Sequence, residues 1–400
     1  MKLSSTLDSL MIEVGAPPTS IVTDKNPDDL SREVYCILGI PVDAIEMADV
    51  LLRIDRAVSS KTPFLISTPN LNFLVNSQSD PDFTESLLSS DLSTADGMSI
   101  VWIARLLGVP VKHRISGSDF FDHFGHTPKK PLKVFLFGGA EGVAAAACGR
   151  LNARSAGVYC VGSLYPGFGS IEEMSQQDTI DHVNSSDADF LVTSLGAKKG
   201  QLWLQRNHHR LLIPVRAHLG ASINFQAGTL KRAHPTVREL GFEWLWRIKE
   251  EPYLWKRYLN DGVVLMYLLF SRVLPLAIWT RWLRLKFRYY RKDLIITQTV
   301  ARESITVGLS GAATAQHIEK IIIAFREAIS TRKQIVIDFS NTYDIDARFL
   351  GLLIMLRKTA KASGTVLIFA RLSPWLERMF RLNGLGHLLS SSPSHSPEVG

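Results

Sequence analysis

Apolar runs alternate with polar or glycine-rich turns along the first half of the chain, and each turn leads into apolar positions at helical spacing. Val34 to Ile40 has strand character, and Ile45, Val50, Leu51, Leu52, Ile54 and Val58 then recur with a helical period over Val42 to Val58. Phe64 to Ser67 is a short strand running into the turn Thr68-Pro69-Asn70, and Leu71 to Ser77 opens a helix with Pro69 near its first turn. Lys133 to Phe137 is an apolar strand that breaks at Gly138-Gly139, before an Ala-rich helix from Gly142. Tyr159 to Gly162 predicts another strand and Tyr165 to Gly169 a loop. Asp189 to Gly196 repeats the strand-then-glycine pattern, and Arg216 to Phe225 closes the series. This order predicts an α/β fold, a Rossmann-like parallel sheet with covering helices. Pro69, Pro110, Pro214 and Pro235 all fall at element ends, where a fixed φ and a missing N–H are tolerated.

The pattern then changes twice. Val263 to Trp279 is strongly apolar but interrupted by Arg272 and Pro275, so it reads as a helical appendage inserted part-way or lying in a membrane interface. Arg281, Arg284, Lys286, Arg288, Arg291 and Lys292 follow, interleaved with Trp282, Phe287, Tyr289 and Tyr290. Cations and aromatics beside an apolar run suit acidic headgroups. The same mixture suits nucleic acid, but on a folded basic face rather than beside an apolar stretch, so the expected partner is an acidic membrane lipid surface and not nucleic acid. A solvated domain linker is the plain alternative. From Leu294 a second small α/β domain is predicted: strands at Ile305–Leu309, Gln334–Phe339 and Thr365–Ala370, helices at Ala315–Ile329 and Phe349–Ala362. The expected organisation is a flexible arm over 1–30, the first α/β domain over 31–257, the apolar and basic segment over 258–293, the second domain over 294–390 and a disordered tail over 391–400.

Composition changes this picture little. The 400 residues are 46% apolar and 21% charged, ordinary for a folded chain. A formal net charge of +7 points to an anionic partner. Cys36, Cys148 and Cys160 have no metal-ligand spacing and read as buried thiols in a reducing compartment. No basic start followed by an apolar core marks a signal peptide before Asp29.

The candidate chemistry centres on Thr94-Ala95-Asp96-Gly97-Met98. Asp96 follows a strand end, where open α/β sheets place their chemistry, and Gly97 lets the backbone turn sharply. Asp96 reads either as the cap of the helix beginning near Ser99 or as a lone base. Thr68 and Asn70 sit at the same sheet edge. Arg114 can fork onto a phosphate, and Asp119 can cap the helix opened by Gly117-Ser118. Gly138 and Gly139 precede a helix start with free N–H groups, though their spacing is wrong for a dinucleotide fingerprint, and no ribose-binding acid follows. Lys198, Lys199 and Gln201, after Gly196, could meet a sugar diphosphate or plain solvent. Asp80-Pro81-Asp82 and Asp187-Ala188-Asp189 have the spacing of a metal clip but read better as turn residues.

Taken in order, Thr68-Pro69-Asn70, Ala95-Asp96-Gly97, Arg114 with Gly117 and Asp119, Phe135 to Gly139, Gly220 to Gly228, Lys231-Arg232-Ala233 and Gly241 to Arg247 resemble the WecG/TagA/CpsF glycosyltransferase family over about 45–260. The resemblance implies an inverting glycosyltransferase with no bound metal or other cofactor. It would move a sugar from a UDP-sugar to a polyprenyl-diphosphate-linked glycan acceptor in bacterial surface polysaccharide or teichoic acid assembly, at the cytoplasmic face of the inner membrane. It also implies Asp96 as general base and Thr68 and Asn70 as pocket lining, with Arg247 and Arg257 meeting the departing diphosphate. Gly97, Arg114, Gly138, Gly139, Gly196, Lys199, Gln201, Asn224 and Arg232 complete the expected substrate contacts. The chain departs from the family at Lys198, Gly200, Gln201, His234 and Tyr253, so the donor sugar is left open. Ile345 to Leu353 is similar to the signature loop and helix of STAS domains. Ala347 and Arg348 stand where that family has its phosphorylatable serine, so a serine switch is not expected, and the domain reads as a binding or regulatory appendage with a possible protein partner. A non-catalytic scaffold built on both folds is the alternative function.

Overall fold

The computed structural model describes residues 28–124, 131–154, 157–286 and 293–389. The expected arm up to residue 27, the cations Arg288, Arg291 and Lys292 and the tail from 390 lie outside these residues. Strands β1 (Val34–Ile37) and β2 (Ile40–Asp43) form an antiparallel hairpin by themselves. The single strand expected over Val34 to Ile40 is therefore corrected: the chain reverses at Leu38 and Gly39, both at positive φ. Because β2 takes Ile40–Asp43, helix α1 (Met47–Ser60) starts later than its apolar spacing suggested.

Strand β3 (Phe64–Ser67), helices α2 (Leu71–Ser77) and α3 (Pro81–Leu88), strand β4 (Leu92–Ser93) and helices α4 (Met98–Leu107) and α5 (Gly117–Phe124) follow. Then come β5 (Leu132–Gly138), α6 (Val143–Arg154), β6 (Val158–Leu164), α7 (Gln177–Asn184), β7 (Phe190–Ser194), α8 (Ala197–Asn207), β8 (Val215–His218) and α9 (Ser222–Ala227). The six strands from β3 to β8 form one parallel sheet in the order β4-β3-β8-β7-β5-β6. One half winds outward from β3 to β4, the other from β5 to β6, and β7 and β8 fill the gap. All their C-terminal loops open on one crevice. Phe135, Phe137 and Trp203 pack one face of the sheet, and Phe190, Phe120 and Ile54 the other.

The cysteine expectation is also corrected. Cys148 on α6 and Cys160 on β6 are joined as a disulfide, and only Cys36 is a free, buried thiol. Their separation of 12 residues carries no signal in sequence, because the pairing arises only when α6 folds back beside β6.

Helices α10 (Pro235–Glu239) and α11 (Glu243–Glu250) lead into a long helix, α12 (Trp255–Leu268), a π-turn over Leu269–Val273, and α13 (Leu274–Lys286). From Pro252 to Trp282 it is long and apolar enough to cross a membrane by length and composition. One face packs on the protein. Asp261 accepts from Asn72 Nδ2 at 3.2 Å, Arg272 donates to Gln78 Oε1 at 2.7 Å, and Leu268, Val273, Leu276 and Ala277 are buried. Arg272 thus anchors the helix to α2's C-terminal end, and the π-turn precedes Pro275, which has no N–H to give. The opposite face leaves Leu259, Val263, Tyr267, Phe270 and Ile278 more than half exposed.

The second domain carries β9 (Ile295–Val300), β10 (Ser304–Ala313), α14 (Ile318–Ser330), β11 (Gln334–Ile345), α15 (Ala347–Ala362), β12 (Leu367–Ala370) and α16 (Pro374–Leu382), with sheet order β12-β11-β10-β9. Strand β9 and helix α16 were not legible in the pattern. Ten of the sixteen residues of α15 are buried, too many for a helix covering its own sheet alone. The remaining burial comes from the β1–β2 hairpin. Arg348 Nη1 donates to Val34 O at 3.1 Å, and Gly351 lies so close that a Cβ there would sit 2.2 Å from the same carbonyl oxygen. Lys358 Nζ reaches Asp29, Asp91 and Ser90 O at 2.9 to 3.1 Å, and Arg357 and Lys361 hold Glu85. The hairpin, α4 and the second domain thereby share one continuous apolar core.

Candidate active site

Three backbone bonds lay the candidate residues side by side. Thr94 N donates to Ser67 O at 2.9 Å, Asp96 N to Pro69 O at 2.8 Å, and Ile115 N to Ala95 O at 2.8 Å. The turns after β3 and β4 and the segment carrying Arg114 therefore form one rim of the crevice. Gly97 at φ +104° makes the bend into α4 and is itself the N-cap, with no side-chain cap bond. Asp96 is not the helix cap. Among the described residues its carboxylate has neither a hydrogen bond nor an ion pair, and part of it faces the crevice. Burial pushes its pKa up to about 7. The Arg114 guanidinium opposes the rise, while the negative charges of Glu243 and Asp119 add to it.

Asn70 caps α2 by accepting from Phe73 N at 3.2 Å, and its Cβ lies beside Gly97. Thr68 is buried, with its hydroxyl 3.5 Å from His218 O. Burial drops His218 to about 4, so this ring behind Thr68 is neutral at physiological pH.

The Arg114 and Arg232 guanidiniums act on Asp96, and Asp119 gathers them together with Arg238. That carboxylate accepts from Ser116 N at 2.9 Å and Ser116 Oγ at 2.6 Å, closing the start of α5 as a capping box does. It also pairs with Arg232, with Arg238 at 3.5 Å and with Arg114 at 3.7 Å. Arg114 is held more closely by Glu243 of α11, and Arg232 also by Asp122. Arg247 pairs with Glu251 one turn along α11 and lies 5.5 Å from the Phe225 ring centroid, next to Asn224. Arg232 Nε, Arg238 Nε and Arg247 Nη1 are buried donors with no partner in the described residues. Unfilled buried N–H groups on cations are costly unless an anion arrives to take them. Arg238 and Glu243 were not singled out from sequence as site residues. The spacing Glu243, Arg247, Glu251 at i, i+4 was the available signal, but it reads equally as a surface pattern.

The other half of the crevice is stitched by Gly139 N to Ser194 O at 2.7 Å and Ser194 Oγ to Gly220 O at 2.5 Å. At Gly138 a Cβ would fall 2.5 Å from Ser194 O, so the glycine serves strand packing. Gly196, by contrast, has open space where a Cβ would stand, at the N-terminus of α8. One expected contact is corrected. Gln201 is wholly buried under the β3 end, bonded to Ser67 Oγ at 2.7 Å and Ser86 O at 3.1 Å, and cannot touch a substrate. Lys199 is drawn to Gly169 O at 2.8 Å, as Lys198 is to Asp80 at 2.5 Å. Arg257 is exposed at the start of α12, over the Tyr258 ring. The acidic pairs keep to turns: Asp80 caps α3, and Asp187 and Asp189 bond Lys133 at the opposite end of the sheet.

Residues 35–277 match the model of the glycosyl transferase WecG/TagA/CpsF family, and residues 296–390 match that of the Mlab, STAS domain. Among similar proteins is the N-acetylglucosaminyldiphosphoundecaprenol N-acetyl-beta-D-mannosaminyltransferase of Bacillus spizizenii (strain ATCC 23059 / NRRL B-14472 / W23). It is 26% identical over 203 residues, covering 50% of this chain and 76% of that protein. Proteins of the same name from Bacillus subtilis (strain 168) and Staphylococcus aureus (strain MW2) are 26% and 25% identical, covering 51% and 55% of this chain and 78% and 85% of theirs. A solved structure of the Bacillus cell fate determinant SpoIIAA in the phosphorylated form is 22% identical over 24% of this chain and 87% of its own, at a TM-score of 0.21, too low to support a comparison of shape.

Proposed function

The chain belongs to the WecG/TagA/CpsF glycosyltransferase family, and from that membership we propose an inverting transfer from a UDP-sugar to a polyprenyl-diphosphate-linked acceptor, with Asp96 as general base. The observation that carries this reading is the unpaired Asp96 carboxyl, pushed up to about pKa 7 by burial, with the Arg114 and Arg232 cations acting on it. A base is most effective near the working pH, and one carboxylate without a second beside it suits a single displacement. The acceptor hydroxyl oxygen attacks the anomeric carbon and gives its proton to Asp96, while the bond from that carbon to the UDP oxygen breaks. The departing diphosphate gains negative charge, and the open N–H groups of Arg232, Arg238 and Arg247 are the donors proposed to meet it, without a metal ion. Thr68, Asn70, Gly97, Arg114, Gly139, Gly196 and Asn224 are the further substrate contacts of this reading, together with Arg257 at the start of α12. The relatives' names support a lipid-linked N-acetylglucosamine acceptor.

The membrane is the second partner. Leu259, Val263, Tyr267, Phe270 and Ile278 on one side of the long helix, with Trp244 and Leu245 on α11, form an exposed apolar face continuous with the element that carries Arg247. An apolar face this large on a helix already packed along its other side suits an interfacial position at the cytoplasmic face of the inner membrane. A protein partner of the STAS domain would use its β9 edge or α14, since α15 is taken by the β1–β2 hairpin.

The test is a panel of UDP-sugars incubated with purified protein and N-acetylglucosaminyldiphosphoundecaprenol in vesicles. Transfer from one donor is expected. No transfer from any donor by folded, vesicle-bound protein would favour the scaffold.

A further inference from the structure

Arg114 lies one residue from Ile115, whose N–H donates to Ala95 O, so it flanks Asp96 across that bond. It is the cation acting most strongly on Asp96, yet it is not paired with it. Two other carboxylates hold it. Asp119 is already engaged by Ser116 N, Ser116 Oγ, Arg232 and Arg238, and meets Arg114 only at 3.7 Å. Glu243, at the first position of α11, is its close partner.

We infer that Glu243 is a positioning residue: it claims the Arg114 guanidinium and so leaves the Asp96 carboxylate free to take the acceptor's proton. The inference rests on the reading of Asp96 as the base. Were Arg114 to pair with Asp96 instead, the carboxylate would be a weaker base, occupied by two strong donors. The charged groups that act on Asp96 are Arg114 and Asp119 from the α5 side, Arg232 after α9 and Glu243 on α11; Asp122 and Arg238 join them through Arg232 and Asp119. Of these, Glu243 alone joins α11 to Arg114. Its loss removes a negative charge near Asp96 and frees a positive one, and both changes lower the Asp96 pKa.

The experiment compares Glu243→Gln, Glu243→Asp and Asp96→Asn with the wild type in the full chain. It reads kcat/KM against pH with whichever UDP-sugar the donor panel selects, and follows carboxyl titration by NMR on protein carrying ¹³C-labelled aspartate. In Glu243→Gln the acidic limb should move down by about one unit, as removal of one neighbouring charge does. The plateau should fall, and the Asp96 resonance, assigned by its absence in Asp96→Asn, should titrate lower by the same amount. Glu243→Asp should restore part of both. An unmoved limb and resonance in Glu243→Gln, with Asp96→Asn inactive, would overturn the inference while leaving Asp96 as base. Near-normal transfer by Asp96→Asn would remove the base assignment itself. The NMR titration needs no turnover and decides the matter even if Glu243→Gln is inactive.

Discussion

Replacing Asp96 by Asn should separate activity from stability in opposite directions. The side chain keeps its size and loses its charge. Transfer should fall by roughly 10²–10⁴-fold, the usual contribution of a positioned base. Stability should rise, because the folded-state pKa is about 7 against an ordinary 3.8. A carboxyl whose pKa is raised by folding favours the folded state while protonated, and that contribution is lost as pH climbs from about 4 to about 7. Above this window the wild type carries an ionised carboxylate in a poorly hydrated place. The full shift corresponds to about 4 kcal/mol at 1.36 kcal/mol per unit. Asp96 faces an open crevice, so about 1–3 kcal/mol is the discounted expectation. Asn has no such dependence, so its advantage should be small near pH 4, grow to pH 7 and stay level above. Urea unfolding at pH 4.5, 6, 7 and 8.5 measures this, alongside transfer assays on the same preparations. A stability difference that does not change with pH would show that the carboxylate is not held in a desolvated site.

Three further outcomes are expected. Gly351→Ala places a Cβ against Val34 O and should cost about 3 kcal/mol as an overpacked contact, seen as a lower denaturation midpoint; an unchanged midpoint would mean the α15–hairpin contact is loose in solution. Removing the Cys148–Cys160 bridge by Cys148→Ser should lower stability by about 2–3 kcal/mol for so short a loop, while Cys36, its thiol pushed up to about 12 by burial, should resist iodoacetamide until the protein unfolds. Replacing Leu259, Val263, Phe270 and Ile278 by Ser should cut binding to anionic vesicles at least tenfold, each buried apolar side chain being worth about 1.5 kcal/mol or more, and the remaining binding should be abolished by salt; unchanged sedimentation with vesicles would assign that face to another partner.

The parallel sheet was legible because its strands are buried on both faces and end at glycines, so apolar run and turn signal coincide at Phe64–Asn70, Lys133–Gly139 and Asp189–Gly196. The same continuous burial hid the β1–β2 hairpin. Val34 to Val42 is almost wholly inaccessible, not from lying in a sheet centre but from lying between two domains, and Leu38 at positive φ is a residue no turn rule would choose. Asp96 was legible through Gly97, whose left-handed φ only glycine holds easily. Gln201 was not: an amide on α8 can face the crevice or the core, and only the Ser67–Ser90 cluster beneath β3 decides it. The partition of Arg114 between Asp119 and Glu243 was equally hidden, since it joins residues 114, 119 and 243 from three separate elements.

These packings tie the STAS domain to the candidate site. Lys358 bonds Ser90 O and Asp91, and Asp91 Oδ2 accepts from Leu65 N, so one side chain of α15 grips the starts of both β3 and β4. Those strands deliver Thr68, Asn70 and Asp96 at their other ends. On the far side, Trp375 of α16 lies 4.1 Å from Trp279 of α13, centroid to centroid, and α13 packs on α4, whose N-terminus begins at the Asp96 turn. The hairpin residues between them are almost wholly buried against α15, so cutting the chain before β9 would expose a large apolar surface and an aggregation liability. A regulatory appendage on a linker would leave the catalytic core closed without it. Here the core is closed only with it, and any signal that loosens α15 from the hairpin would reach Asp96, the proposed base, through two strands and one helix rather than through a tether.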